Sequence, residues 1–166
     1  AAPASPPAQA DAQLRAAIRD LSRAGAPGPS RPVPAAEWLM EAVGVLLQAP
    51  RDADALRALV LHLAASLRCD RVALGLRRQT RADLEVMAVS DLPRLSDATE
   101  LVRDLHAAMQ EAAASACTLT HPARRHGPMQ AGLAHVQLSR SMGACAVCTV
   151  PLGGDGVVLG AMTLQR

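Results

Sequence analysis

The chain has 166 residues, of which 50% are hydrophobic and 19% charged, with a formal net charge of +2. Its length suits one domain with one core, burying roughly two thirds of the unfolded surface, and the composition excludes a disordered chain. The small charge and the single aromatic residue, Trp38, argue against nucleic-acid binding, which needs clustered Lys and Arg and stacking platforms.

Apolar runs such as Ala42 to Leu47 are far below the roughly 20 residues that span a bilayer, so direct membrane insertion by this segment is not expected. No basic segment leads into an apolar one at the N-terminus, and no signal peptide is read there. Four cysteines, Cys69, Cys117, Cys145 and Cys148, are too few for a disulfide scaffold. They point to reduced thiols and a cytoplasmic protein.

Residues 1–35 form a Pro-rich arm, with Pro3, Pro6 and Pro7 at one end and Pro27, Pro29, Pro32 and Pro34 at the other. Between them Leu14, Ile18 and Leu21 recur at helical spacing, which predicts one short amphipathic helix within 10–24. Alone it has no core, so it must dock on something or fray.

Residues 36–166 then read as one domain. A helix is predicted over 37–48, with apolar residues covering about 220° of its circumference at 100° per residue. Packing on a sheet uses about half that width. The expected remainder, carrying some of Trp38, Met40, Ala42 and Val45, predicts a homodimer through this helix. Asp52 reads as the N-cap of a second helix, whose buried face is Leu56, Leu59, Val60, Leu63 and Leu67.

Alternation predicts strands over 71–78 and 84–90, joined as a hairpin. A helix follows from about 97 to 115, with Leu101, Leu105, Ala108, Met109 and Ala112 inward. A short strand over 117–120, a helix over 129–141, and strands over 143–152 and 157–165 complete the chain. Gly153-Gly154-Asp155-Gly156 supplies the last turn. The final strands are apolar on both faces and need helices on both sides. The fold class is therefore α/β (α+β), a three-layer α/β/α sandwich with a mainly antiparallel sheet of about five to six strands.

This order of elements resembles the GAF domain, a PAS-related sensory domain. Leu67-Arg68-Cys69-Asp70-Arg71-Val72-Ala73-Leu74 is similar to the family's passage from second helix to first strand. Val150-Pro151-Leu152, the glycine turn and Val158-Leu159-Gly160-Ala161 are similar to its final hairpin. The likeness covers about residues 36–166, and it implies a closing helix, expected beyond Arg166. Ala107–Ala112 and Ala134–Leu138 further resemble the GAF region of bacterial secretion-type membrane-fusion (adaptor) proteins.

The resemblance implies a non-enzymatic sensory or regulatory module that binds a small molecule, mediates dimerisation, or does both, within a larger signalling or transport protein. The alternative is a dimerisation and protein-interaction domain with a vestigial pocket. A thiol-dependent methionine-sulfoxide reductase, a GAF-fold enzyme, is the lesser reading, because the chain lacks a His-Ile-Ala-Cys-Asp type of segment. Absence of Phe and the lone Trp speak against the family's cyclic-nucleotide and bilin modes. No cofactor is named.

Cys145 and Cys148 have the spacing of zinc and redox pairs. In a strand, however, residues i and i+3 face opposite sides, so core packing is the expectation. The dense cationic run His121-Pro122-Ala123-Arg124-Arg125-His126 is either a solvated loop or the mouth of a cavity that meets an anionic group. The ligand-binding candidates are thus His121, Arg124, Arg125 and His126, with Met109 and His135 lining the cavity between sheet and helices. No catalytic or metal-ligating residue stands out.

Overall fold

A computed structural model describes residues 35–48, 51–78, 83–122, 132–143, 145–154 and 157–166. The predicted arm helix within 10–24, and Arg124, Arg125 and His126, lie outside the described residues. In chain order the elements are α1 (Ala35–Gln48), α2 (Asp52–Leu67), β1 (Arg71–Arg77) and β2 (Leu84–Val89). A 3-10 turn (Leu95–Ala98) leads into α3 (Thr99–Ser115), then come β3 (Leu119–His121), α4 (Leu133–Ser141), β4 (Val147–Gly154) and β5 (Val157–Gln165).

The five strands form one sheet in the order β2-β1-β5-β4-β3, with every neighbouring pair antiparallel. The two later strands pair at its centre because they are apolar on both faces, as the sequence implies. On one face Val72, Leu74, Cys148, Val150, Met162 and Leu164 meet Val60 and Leu63 of α2. On the other, Ala73, Val86, Val147 and Ala161 meet Leu105, Ala108 and Met109 of α3 and Leu138 of α4. Helices therefore cover both faces, and the three-layer α/β/α architecture with an antiparallel sheet is the one observed.

Several expected boundaries move for local reasons. Asp52 is not the N-cap of α2: Arg51 holds that place in extended backbone without a side-chain cap hydrogen bond, and Asp52 and Asp54 stand in the first turn. There their carboxylates still face the positive end of the helix dipole. The strand expected from 143 begins at Val147, because Gly143 takes φ +79 in the turn after α4. The short strand expected over 117–120 is Leu119–His121, since Ala116 closes α3 in the left-handed region and Cys117 leaves that turn.

α1 packs on α2 with Ala42 buried and Val45 and Leu46 half-buried, while Met40, Val43 and Leu47 are exposed. The exposed stripe expected from Ala42 and Val45 is thus rotated. Those two residues face the domain, and Val43 and Leu47 replace them outside; the side chain of Trp38 lies outside the described residues. No helix among the described residues is long and apolar enough to cross a membrane.

Candidate functional site

Three of the six sequence-selected residues fall in the described structure, and α3, β3 and α4 hold them. Met109 is on the inward face of α3, fully buried, with its sulfur packed toward Gly75 of β1. His121 ends β3, half-buried, at the point where the cationic segment begins. His135 sits in the first turn of α4 and is completely inaccessible. Met109 is therefore a core packing residue, while His121 stands at the end of β3, an edge strand of the sheet.

His135 is the centre of a buried polar chain. Its Nδ1 lies 2.6 Å from a Glu111 carboxylate oxygen and its Nε2 lies 2.9 Å from Thr149 Oγ1. Thr149 Oγ1 lies 3.1 Å from Thr163 Oγ1. The carboxylate can only accept, so Nδ1 carries the proton and donates to Glu111. Nε2 then accepts from Thr149, which in turn accepts from Thr163. Burial holds the His135 imidazole below its usual pKa; the hydrogen bond it donates to Glu111 opposes this, and nearby His121 adds to the lowering.

Glu111 has a second task. Its two oxygens accept the Ala134 and His135 backbone N–H groups at 3.5 and 3.3 Å, so it caps α4, whose N-cap residue Gly132 has no side-chain cap. Gly132 is required for this: a Cβ there would lie 1.7 Å from a Glu111 oxygen. One acid on α3 thus fixes both the start of α4 and the orientation of its buried histidine. In sequence, Arg124, Arg125 and His126 lie between His121 and this clasp.

Acid, imidazole and hydroxyl in a row have the order of a proton relay to a nucleophile. Here the hydroxyl of Thr149 is fully buried and engaged with Thr163, which orients the chain for structure. Sequence reasoning missed Glu111, Thr149 and Thr163. The available signal was polar residues at paired positions of strands otherwise apolar on both faces, since buried hydroxyls need partners.

Cys145 stands before β4 begins rather than in it, yet the two cysteines face opposite sides as expected. Cys148 belongs to the core on the α2 face and Cys145 packs against the core on the α3 face. Burial pushes the Cys69 and Cys145 thiols up, away from the thiolate form. Among the described residues no three His, Cys, Asp or Glu side chains gather into a metal-binding group.

No family model matches the chain, and no curated protein matches it. Solved structures do. The GAF domain of a phosphoenolpyruvate-protein phosphotransferase from Coxiella burnetii is 16% identical, with a TM-score of 0.51 over 78% of this chain and 76% of that one. The nlh2 GAF domain of A. aeolicus in an inactive state gives a TM-score of 0.54 at 13% identity, over 78% and 77%. Free methionine-R-sulfoxide reductase from Neisseria meningitidis, in complex with its substrate, gives 0.51 at 16% identity, over 85% and 80%. They lend no support to an adaptor-protein origin. At these identities the likeness is one of fold, and together with the five-stranded antiparallel sheet between two helical layers it gives this chain a GAF-like α/β fold.

Proposed function

We propose that this domain is a non-enzymatic sensory module that binds a small anionic molecule at the segment beginning with His121. The observation that supports the reading is the geometry of the two described ends that flank that cationic run in sequence. His121 stands half-buried at the end of β3, and the start of α4 is clamped by Glu111 through His135. A ligand gripped by Arg124, Arg125 and His126 would therefore pull on both a sheet edge and a helix N-terminus, and Glu111 links that helix to α3. Such mechanical continuity is what a regulatory module needs to pass binding to its surroundings.

The fold is compatible with this reading, and one neighbour of the same fold is a free methionine-R-sulfoxide reductase. Against a thiol enzyme stand the burial and raised pKa of Cys69 and Cys145 and the opposite facing of Cys145 and Cys148. A cytoplasmic site and the absence of nucleic-acid partners are part of the same reading, resting on reduced-type cysteine usage and the small net charge.

A second use is favoured by a separate observation, the exposed Met40, Val43 and Leu47 of α1. They make the domain an interaction module as well, with a homodimer among the candidate arrangements. Native mass spectrometry of the purified chain tests the primary reading. A retained anionic small molecule, released on denaturation, is the expected result. Protein isolated without one, which also fails to bind any member of a library of small anionic metabolites, would overturn it.

A further inference from the structure

The first turn of α4 is held by polar contacts rather than by apolar burial. Of Leu133, Ala134, His135 and Val136 only His135 is buried, and Leu133 is 86% exposed. The first backbone bond of the helix, from the Val136 N–H to the Gly132 carbonyl, is long at 3.4 Å. Glu111 and His135 therefore carry the attachment, and the apolar anchor Leu138 comes only in the next turn. We propose that this turn is a proton-operated latch: neutral His135 closes it, and protonation of that ring opens the start of α4 while the sheet stays folded.

The polar chain is matched to one protonation state. With Nε2 unprotonated, it accepts from the Thr149 hydroxyl at 2.9 Å, and Thr149 accepts from Thr163 at 3.1 Å. Both hydroxyl protons and both ring nitrogens are then used. A proton on Nε2 makes that nitrogen a donor, so Thr149 must accept from it and turn its own proton toward Thr163. The Thr163 hydroxyl is fully buried, and Thr149 is its one partner among the described residues, so its proton loses its acceptor. The charged ring also has no water to solvate it. Glu111 pairs with the imidazolium, but the hydrogen bond between them already exists in the neutral state. Burial outweighs Glu111, and the ring stays below the ordinary histidine pKa.

The other ionisable groups around the helix do not reverse this. α3 presents Glu111 to the ring; Asp104, two turns earlier and about 10 Å along the helix axis, lies beside Arg103. β3 presents His121, whose charge opposes a second charge on His135. β4 and β5 present the two threonines. Cys145, before β4, meets the far end of α4 through Ser139, and burial pushes its thiol up, away from the thiolate. On α4 itself the cation is Arg140, exposed in the last turn.

Relief comes through α4 because the other members of the chain are fixed. Thr149 and Thr163 face each other on paired strands, and Glu111 belongs to a 17-residue helix with Leu105, Ala108, Met109 and Ala112 buried. α4 has nine residues. Once its first turn swings out, the ring titrates in water near about 6.5, above its closed value. The open form thus binds the proton more tightly, and the latch is closed above that pH and opens progressively below it.

Amide hydrogen exchange of the full chain, measured by NMR relative to intrinsic rates, tests the latch. Residues 136–140 should exchange at least tenfold faster than the β1 and β5 amides, because they open without the sheet. From pH 7.5 to 5.5 their protection should fall several-fold, up to about the tenfold that one ring titrating near 6.5 allows. In His135→Gln the protection of α4 should be the same at both pH values, while His121→Gln should keep most of the wild-type response. Should His135→Gln unfold, the ring nitrogen signals of wild type take its place. In the closed protein they should remain those of the neutral Nδ1–H tautomer down to pH 5.5. Exchange of α4 in step with β1 and β5, a pH response that persists in His135→Gln, or a ring that becomes charged while α4 keeps its protection would overturn the proposal.

Discussion

His135 is the residue whose environment is most demanding. Its ring is inaccessible, both nitrogens are engaged, and burial keeps its pKa below the ordinary histidine value. Because the folded pKa is the lower one, the unfolded chain takes up a proton here first as pH falls below about 6.5. The contribution to stability is complete above that pH and is lost progressively below it, toward the folded value. Urea midpoints measured at pH 7.5 and 5.5 should therefore drop more for wild type than for His135→Gln. Equal drops would show that His135 does not supply the acid sensitivity. Thr149→Val removes the donor to Nε2 and the acceptor for Thr163 together, stranding two buried polar groups. A loss of about 1–3 kcal/mol is expected in urea denaturation, with the fold retained by circular dichroism. A second residue-scale clasp holds the same end of the sheet. Arg71 donates to both carboxylate oxygens of Asp91 and to Gln165, joining the start of β1, the exit of β2 and the end of β5. The Arg71 hydrogen bond, against some opposing burial, holds the Asp91 carboxyl below its usual range.

At the scale of elements, the β1–β5 contact and the α1–α2 contact are the two that sequence periodicity describes least well. β1 and β5 approach closely at Gly160, where a Cβ would meet the Gly75 carbonyl oxygen at 2.6 Å and a Leu76 methyl at 3.0 Å. The carbonyl belongs to a central ladder and cannot step aside, so Gly160→Ala should destabilise by about 1–3 kcal/mol, as overpacking does. An unchanged thermal midpoint would mean that the strands separate more easily than this geometry implies. For α1, a helical wheel alone leaves open which flank of a wide apolar arc faces inward. The structure turns Val45 toward the domain and Val43 outward. Val45→Glu should accordingly lower the melting temperature by several degrees and Val43→Glu by much less. The reverse order would place the α1–α2 contact on the other flank.

At the scale of the whole molecule, the proposed ligand residues can be tested apart from the apolar side chains that pack both faces of the sheet. Arg124→Ala with Arg125→Ala should abolish retention of an anionic ligand while shifting the melting temperature of the ligand-free protein by no more than a degree or two. Intact retention would remove these residues from the site. Loss of fold would make them structural. How much of all this the sequence determined follows from the range of each interaction. The helices, the strands and the buried-on-both-faces character of β4 and β5 were legible because they rest on local periodicity, and two-sided burial of a sheet dictates helices on both sides. Parity alone separated Cys145 from Cys148. Tertiary structure decided the rest. Glu111, His135, Thr149 and Thr163 come from four different elements, and only packing α3 and α4 across β4 and β5 brings their polar atoms within hydrogen-bonding range. The rotation of α1 likewise depended on which of its apolar residues α2 could cover, a choice made by contact between helices and invisible to the periodicity of either one.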